Sequence, residues 1–201
     1  MTFAVIVASG YLLGSCPWGY WLVRIFRGED VRSKGSGSIG ASNVWRAYGR
    51  RLGIPVVALD ALKGFAPALV GVLAASPLCG ILAGAAAMAG HARPIYLRFE
   101  KGGKMVATAG GVLFAVCPWV ALAVGGVWFA TFALSRYTSL ASIVSAFALP
   151  LIAIAIGYSV AVIVFCALAG AAIVFLHRTN LRRLRAGTEN RFRLRRPARV
   201  T

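Results

Sequence analysis

Six long apolar stretches, the first running from Met1 to Val23, decide what this chain can fold into. Each reaches or approaches the ~20 residues that carry a helix across a bilayer. With 59% hydrophobic and 13% charged residues, roughly half the charged share of a globular domain, the chain has too little polar surface to cover them in water. The expected fold is all-α, a polytopic integral membrane protein with apolar segments at 1–23, 53–75, 79–97, 106–134, 138–156 and 159–176. No basic region precedes the first stretch, which holds Gly14, Ser15 and Pro17. An uncleaved span is expected there rather than a signal peptide.

The formal net charge of +17 is informative through its placement. Basic residues gather in Arg24–Arg51, in Arg93–Lys104, at Arg136 and after His177, while the connections at Ser76–Leu78 and Gly157–Tyr158 hold none. That is the positive-inside pattern, reinforced by anionic lipid at the cytoplasmic leaflet. Expected partners are the lipid bilayer and small phosphorylated molecules, not nucleic acid. Cys16, Cys79, Cys117 and Cys166 lie in or at the ends of apolar segments without CxxC spacing, which marks them as packing residues. No metal and no cofactor is expected.

Parity then counts the spans. With loop 24–52 cytoplasmic, the second span leads out and the third returns, which keeps Lys101 and Lys104 inside. A single crossing by 106–134 would put the Arg-rich tail outside, against the charge rule. A turn at Pro118 brings the chain back as a short helical hairpin. Seven helices follow, with the amino terminus outside and the carboxyl terminus inside. One domain fills 1–201, with cytoplasmic loops 24–52, 98–105 and 135–138 and a cytoplasmic tail 177–201.

Three polar constellations fall on that side. In "SKGSGSIGASNVWRAYG" (Ser33–Gly49), Gly35, Gly37 and Gly40 free the backbone to form an anion nest. Ser36, Ser38 and Asn43 add hydrogen-bonding groups and Arg46 adds charge. A flexible linker is the competing reading. In "KGGKMVAT", the pair Gly102–Gly103 precedes Lys104 and a helix expected from about Met105, with Thr108 in its first turns. This is not a Walker loop, whose spacing is absent. In "HRTNLRRLRAGTENRF", Arg178, Arg182 and Arg185 recur at helical spacing, as on a surface helix over anionic lipid. His177 and Asn180 fall at the membrane edge, where they are expected to point back toward a site. Within the second span, Asp60 and Lys63 share a helix face. They are either an ion pair or functional support, and both readings stand.

Together "GSGSIGASN", "KGGKMVAT" and "HRTNLRRLRAGTENR", with "DALKG" and "SRYTSLASI" between them, resemble the bacterial acyl-phosphate:glycerol-3-phosphate acyltransferase family (PlsY) over nearly the whole chain. The resemblance implies seven spans, a cytoplasmic active site in the bacterial inner membrane, and the first step of phospholipid synthesis. A fatty acyl group moves from acyl phosphate to the 1-hydroxyl of glycerol 3-phosphate, giving lysophosphatidic acid. Two positions depart from the family pattern: Ser38 stands where Asn is usual, and Met105 where Gly is usual.

Both substrates carry phosphate, which accounts for a site of glycine, lysine and arginine. Lys104, Arg46 and the backbone of Gly102–Gly103 are expected on phosphate, beside the nest Gly35, Gly37, Ser38 and Gly40. Ser36, Asn43, His177 and Asn180 are expected to orient glycerol 3-phosphate or the oxyanion, and Thr108 to donate to acyl phosphate. No Ser-His-Asp arrangement is evident, so the glycerol hydroxyl is expected to attack the acyl carbonyl directly. A monomer is expected. The alternative from another class is a small transporter of an anion or lipid, which would show pseudo-repeats and broken helices meeting at the midplane.

Overall fold

The computed structural model describes residues 2–192. The expected tail 177–201 therefore lies outside the described residues beyond Phe192. All regular structure among the described residues is helical: α1 (Thr2–Gly14), α2 (Trp18–Arg27), α3 (Ala41–Tyr48), α4 (Arg50–Ala74), α5 (Pro77–Ala92), α6 (Val106–Val116), α7 (Pro118–Ser135), α8 (Thr138–Ile156), α9 (Val160–Leu176) and α10 (Arg178–Arg185). Single 3-10 turns stand at Val31–Ser33 and Ile95–Leu97.

Four helical stretches are long and apolar enough to cross a membrane: α1 with α2, α4, α7 and α8. The bent pair α9 and α10 makes a fifth. The seven expected segments all appear as helices, but α5 and α6 have only 16 and 11 residues. At ~1.5 Å per residue neither reaches across a hydrocarbon core of ~30 Å.

Helix α4 is the hub, packing on α1, α2, α3, α5 and α6, while α8 holds α7, α9 and α10. Small residues permit the close crossings. A Cβ at Gly64 would collide with the Thr108 backbone, and one at Gly111 with that of Ala61, so α4 and α6 run almost in contact. The helix break in 106–134 falls at Cys117, with Pro118 opening α7, where its missing N–H costs nothing. Both ends of that segment meet again. Lys104 bonds Asn180, which bonds Glu189, which accepts from Ser139 at the start of α8. The segment thus turns back on itself.

Loop 28–40 has its own small core of Val23, Val31, Ile39, Val44, Leu52, Val56 and Leu97. Apolar anchorage on both sides holds the Gly/Ser stretch as ordered structure. It is not a linker.

Candidate active site

The polar ends of α3, α4, α6, α8, α9 and α10 surround a cavity of about 950 Å³, near the upper end of the usual range for ligand pockets. At one end its wall carries Ser36, Ser38, Arg46, Lys104, His177 and Asn180. Away from that end the wall is apolar, formed by one face each of α4 (Val57, Ala61, Phe65), α6 (Ala107, Gly110, Phe114) and α7 (Gly125, Trp128, Phe132).

The first loop is organised by Asn43. Its Oδ1 accepts the Ser36 N–H at 2.9 Å, and its Nδ2 donates to the carbonyls of Ser38 at 2.9 Å and Lys34 at 3.1 Å. Only 2% exposed, this side chain works on the loop rather than reaching outward. Gly35 and Gly37 are left-handed, at φ 57° and 68°. A Cβ at Gly35 would also strike Asn43 Oδ1. The two glycines shape the turn outside the cavity wall, while Ser38 Oγ accepts the Gly40 N–H at 3.2 Å. Gly40 then caps α3, whose amino end opens on the cavity and favours an anion. Ser36 Oγ has no bond partner among the described residues. Nor has the half-buried Arg46 guanidinium, whose pKa burial lowers, with Glu189 opposing and Arg183 adding to the fall. It remains charged at any working pH.

The second loop differs from the expected backbone cradle. The Gly102 N–H donates to Ala92 O and the Gly103 N–H to His91 O, both at 3.0 Å. These amides satisfy the exposed carbonyls at the end of α5 and are not free for phosphate. Their role is to clip the strand to α5 and aim Lys104. Glycine is required because a Cβ at Gly103 would collide with the His91 ring. Thr108 also departs from expectation. Fully buried, it sits in the α4–α6 contact off the cavity-lining face of α6, with its Oγ1 unpartnered among the described residues.

Lys104 Nζ donates to Asn180 Oδ1 at 2.7 Å, and Asn180 Nδ2 donates to Glu189 Oε1 at 2.7 Å. Glu189 also accepts from Ser139 Oγ at 2.9 Å and Arg183 Nε at 2.7 Å. Burial alone would raise the Glu189 pKa, but these three bonds outweigh it and hold the carboxylate charged. Burial lowers the Lys104 pKa to about 8, against the pull of Glu189. His177 is 3% exposed, and its Nδ1–H donates to Ile173 O at 2.8 Å. That bond fixes the tautomer and leaves Nε2 as an acceptor. Burial, then Lys104, lowers its pKa to about 4, so the imidazole is neutral at pH 7.

Residues 4–187 match the family described as Glycerol-3-phosphate acyltransferase. The chain belongs to that family. A glycerol-3-phosphate acyltransferase of Aquifex aeolicus (strain VF5) is 45% identical over 189 residues, 93% of this chain and 97% of the relative. One of Synechococcus sp. (strain JA-3-3Ab) is 43% identical over 183 residues, 91% and 90% respectively. The fold resembles the crystal structure of PlsY (YgiH), an integral membrane glycerol 3-phosphate acyltransferase, in its glycerol 3-phosphate form. The TM-score is 0.92 at 42% identity, over 96% of each chain. The lysophosphatidic acid form matches with a TM-score of 0.88 at 40% identity, again over 96% of each.

Two residues of this acyltransferase escaped the sequence reading. Glu189 is the hub of the third constellation, and the one available signal was an acid alone in a strongly basic tail. His91 lines the cavity with Nδ1 3.5 Å from Asp60 Oδ1. Asp60 also pairs with Lys63 at 2.8 Å, and Lys63 Nζ donates to Cys16 O at 2.8 Å, at the α1–α2 break. Lys63 itself is off the cavity wall. The Asp60–Lys63–His91 cluster therefore links α1, α4 and α5 to the Gly103–Lys104 strand. Met105, the second departure from the family pattern, takes a left-handed φ of 65° and packs its side chain into the main core. Glycine would suit that backbone without a side-chain penalty.

Proposed function

We propose that this member of the glycerol-3-phosphate acyltransferase family takes its acyl group from acyl phosphate. The 1-hydroxyl of glycerol 3-phosphate receives it, and lysophosphatidic acid and inorganic phosphate are released at the cytoplasmic face of the bacterial inner membrane. The observation that carries this reading is the two-ended cavity. Its cationic end, with Lys104, Arg46 and the start of α3, suits phosphate, and its apolar groove suits an acyl chain.

In this reading the glycerol hydroxyl oxygen attacks the acyl carbonyl carbon, and the carbon–oxygen bond to phosphate breaks. Lys104 and Arg46 hold the phosphates, and Ser36 Oγ orients glycerol 3-phosphate. Holding both reactants together supplies the proximity term, and fixed charge stabilises the leaving phosphate. The hydroxyl proton goes to a substrate phosphate. That group has its second pKa at about 6, against about 4 for His177, so the phosphate is the better base. His177 Nε2 accepts a hydrogen bond from the 2-hydroxyl of glycerol 3-phosphate and so orients the substrate. Asn43, Gly35, Gly37, Ser38 and Gly40 hold the first loop, and Asn180 holds Lys104. Every group is supplied by one chain, so a monomer suffices.

The test is donor choice. Purified protein would be given glycerol 3-phosphate with palmitoyl phosphate, palmitoyl-CoA or palmitoyl-acyl carrier protein. Lysophosphatidic acid is expected from palmitoyl phosphate alone. Product from a thioester, with none from palmitoyl phosphate, contradicts the assignment.

A further inference from the structure

Three glycines near the hairpin, Gly110 on α6 with Gly125 and Gly126 on α7, have no atom of the described residues, beyond their own helix backbone, within 4 Å of where a Cβ would stand. Glycine in a membrane helix ordinarily marks the close approach of another helix. Gly64 and Gly111 fit that account, since a Cβ at either would collide with backbone of the facing helix. Gly110 and Gly125 do not. Both are half-buried and both line the cavity, while Gly126 is exposed on the outside of α7 and off the cavity wall. Glycine also weakens a helix relative to alanine. Packing thus explains neither Gly110 nor Gly125, although a wall of the apolar groove is built on each.

We infer that Gly110 and Gly125 are specificity-determining residues, whose missing side chains keep the groove wide enough for a long acyl chain at two different depths. The inference rests on the acyl-transfer reading above. Gly110 lies four residues into α6, roughly 6 Å from the start of that helix beside Lys104, and Gly125 ten residues before the end of α7, roughly 15 Å from Ser135. Any side chain at either position enters space that the described residues leave empty. It therefore competes with the acyl chain for room. A short chain that ends above Gly125 is untouched there, whereas a long chain must pass it. The phosphate groups at Lys104 and Arg46 stay as they are.

The experiment compares octanoyl, lauroyl and palmitoyl phosphate as donors for wild type, Gly110→Leu, Gly125→Leu and the lipid-facing control Gly126→Leu. Gly125→Leu should lose about tenfold or more in kcat/KM with palmitoyl phosphate and stay within about twofold with octanoyl phosphate. Gly110→Leu should lose activity with lauroyl phosphate as well. Gly126→Leu should match wild type at every length, and the KM for glycerol 3-phosphate should stay constant throughout. If a Leu variant fails to fold in a thermal melt, the Ala variant at that position gives the same ranking on a smaller scale. Chain-length profiles unchanged in both groove variants, or a Gly125→Leu profile depressed equally at all lengths, overturn the inference. A wild type that makes no lysophosphatidic acid from any acyl phosphate overturns instead the reading on which it rests.

Discussion

Lys104 Nζ and Asn180 Oδ1 lie 2.7 Å apart, 76 positions from one another in the chain. Through this bond the strand clipped to α5 meets the helix that follows the last apolar segment, and the Lys104 charge is fixed at the polar end of the cavity. Asn180 is itself fixed by Glu189, so the ammonium is held in place with two further N–H groups for a ligand.

Lys104→Ala removes that charge from the cavity wall, whereas the exposed Lys101 has no hydrogen-bond partner among the described residues. Truncating one side of a buried charge pair costs about 3 kcal/mol or more, or about a hundredfold in kcat/KM. Lys101→Ala should change it by less than about threefold. Steady-state kinetics of both variants decide, and a Lys104→Ala enzyme near wild type refutes the phosphate assignment.

The same lysine gives the pH dependence. Burial above all lowers its pKa to about 8. The protonated form binds phosphate, so above the substrate's own pKa of about 6 the KM for glycerol 3-phosphate should be level up to about pH 8 and rise beyond it as the proton leaves. Lys104→Arg stays charged, and its KM should stay level through pH 8 and above. A wild-type KM that is flat well above pH 8 contradicts the assignment of this group.

Glu189→Ala should destabilise the folded protein by about 2–3 kcal/mol. The exposed side of the pair contributes little, since the Arg183 side chain is 37% exposed against 3% for Glu189. The loss comes from the buried bonds of Asn180 and Ser139, both accepted by Oε1, whose donors Ala leaves without an acceptor. A thermal melt in detergent measures it, and an unchanged midpoint refutes the hub role.

Topology offers an independent check. Lys101 and Arg136 flank the hairpin and are both exposed. Cysteine placed at either position, in a background without the native thiols, should react with an impermeant reagent from the same side of sealed vesicles. Labelling from opposite sides excludes a hairpin.

How much of this was legible in the sequence follows from the range of each interaction. The break at Pro118 was readable because proline acts on its own backbone, and the hairpin because charge placement is a property of the whole chain. Helix α3, the amphipathic α10 and the Asp60–Lys63 pair follow from local spacing. Contacts between distant elements were not readable. Nothing in "KGGK" says that the carbonyls of α5 need two donors, so the amides of Gly102 and Gly103 looked free. Thr108 is one helical step off the face that lines the cavity, and only the approach of Gly64 fixes that phase. Asn43 has the chemistry to meet a substrate, but the loop that it holds together is closer. His91 gains meaning only beside Asp60, on another helix.

The central claim is that two bound substrates react directly, with no acyl-enzyme between them. Its most direct test follows phosphate release by the purified protein after mixing with palmitoyl phosphate carrying a labelled acyl group, first alone and then with glycerol 3-phosphate. Direct transfer predicts no burst and no label on the protein in the first stage, then phosphate and lysophosphatidic acid in equal amounts once glycerol 3-phosphate is added. A burst of phosphate stoichiometric with enzyme before that addition, with the acyl label left on the chain, would contradict it.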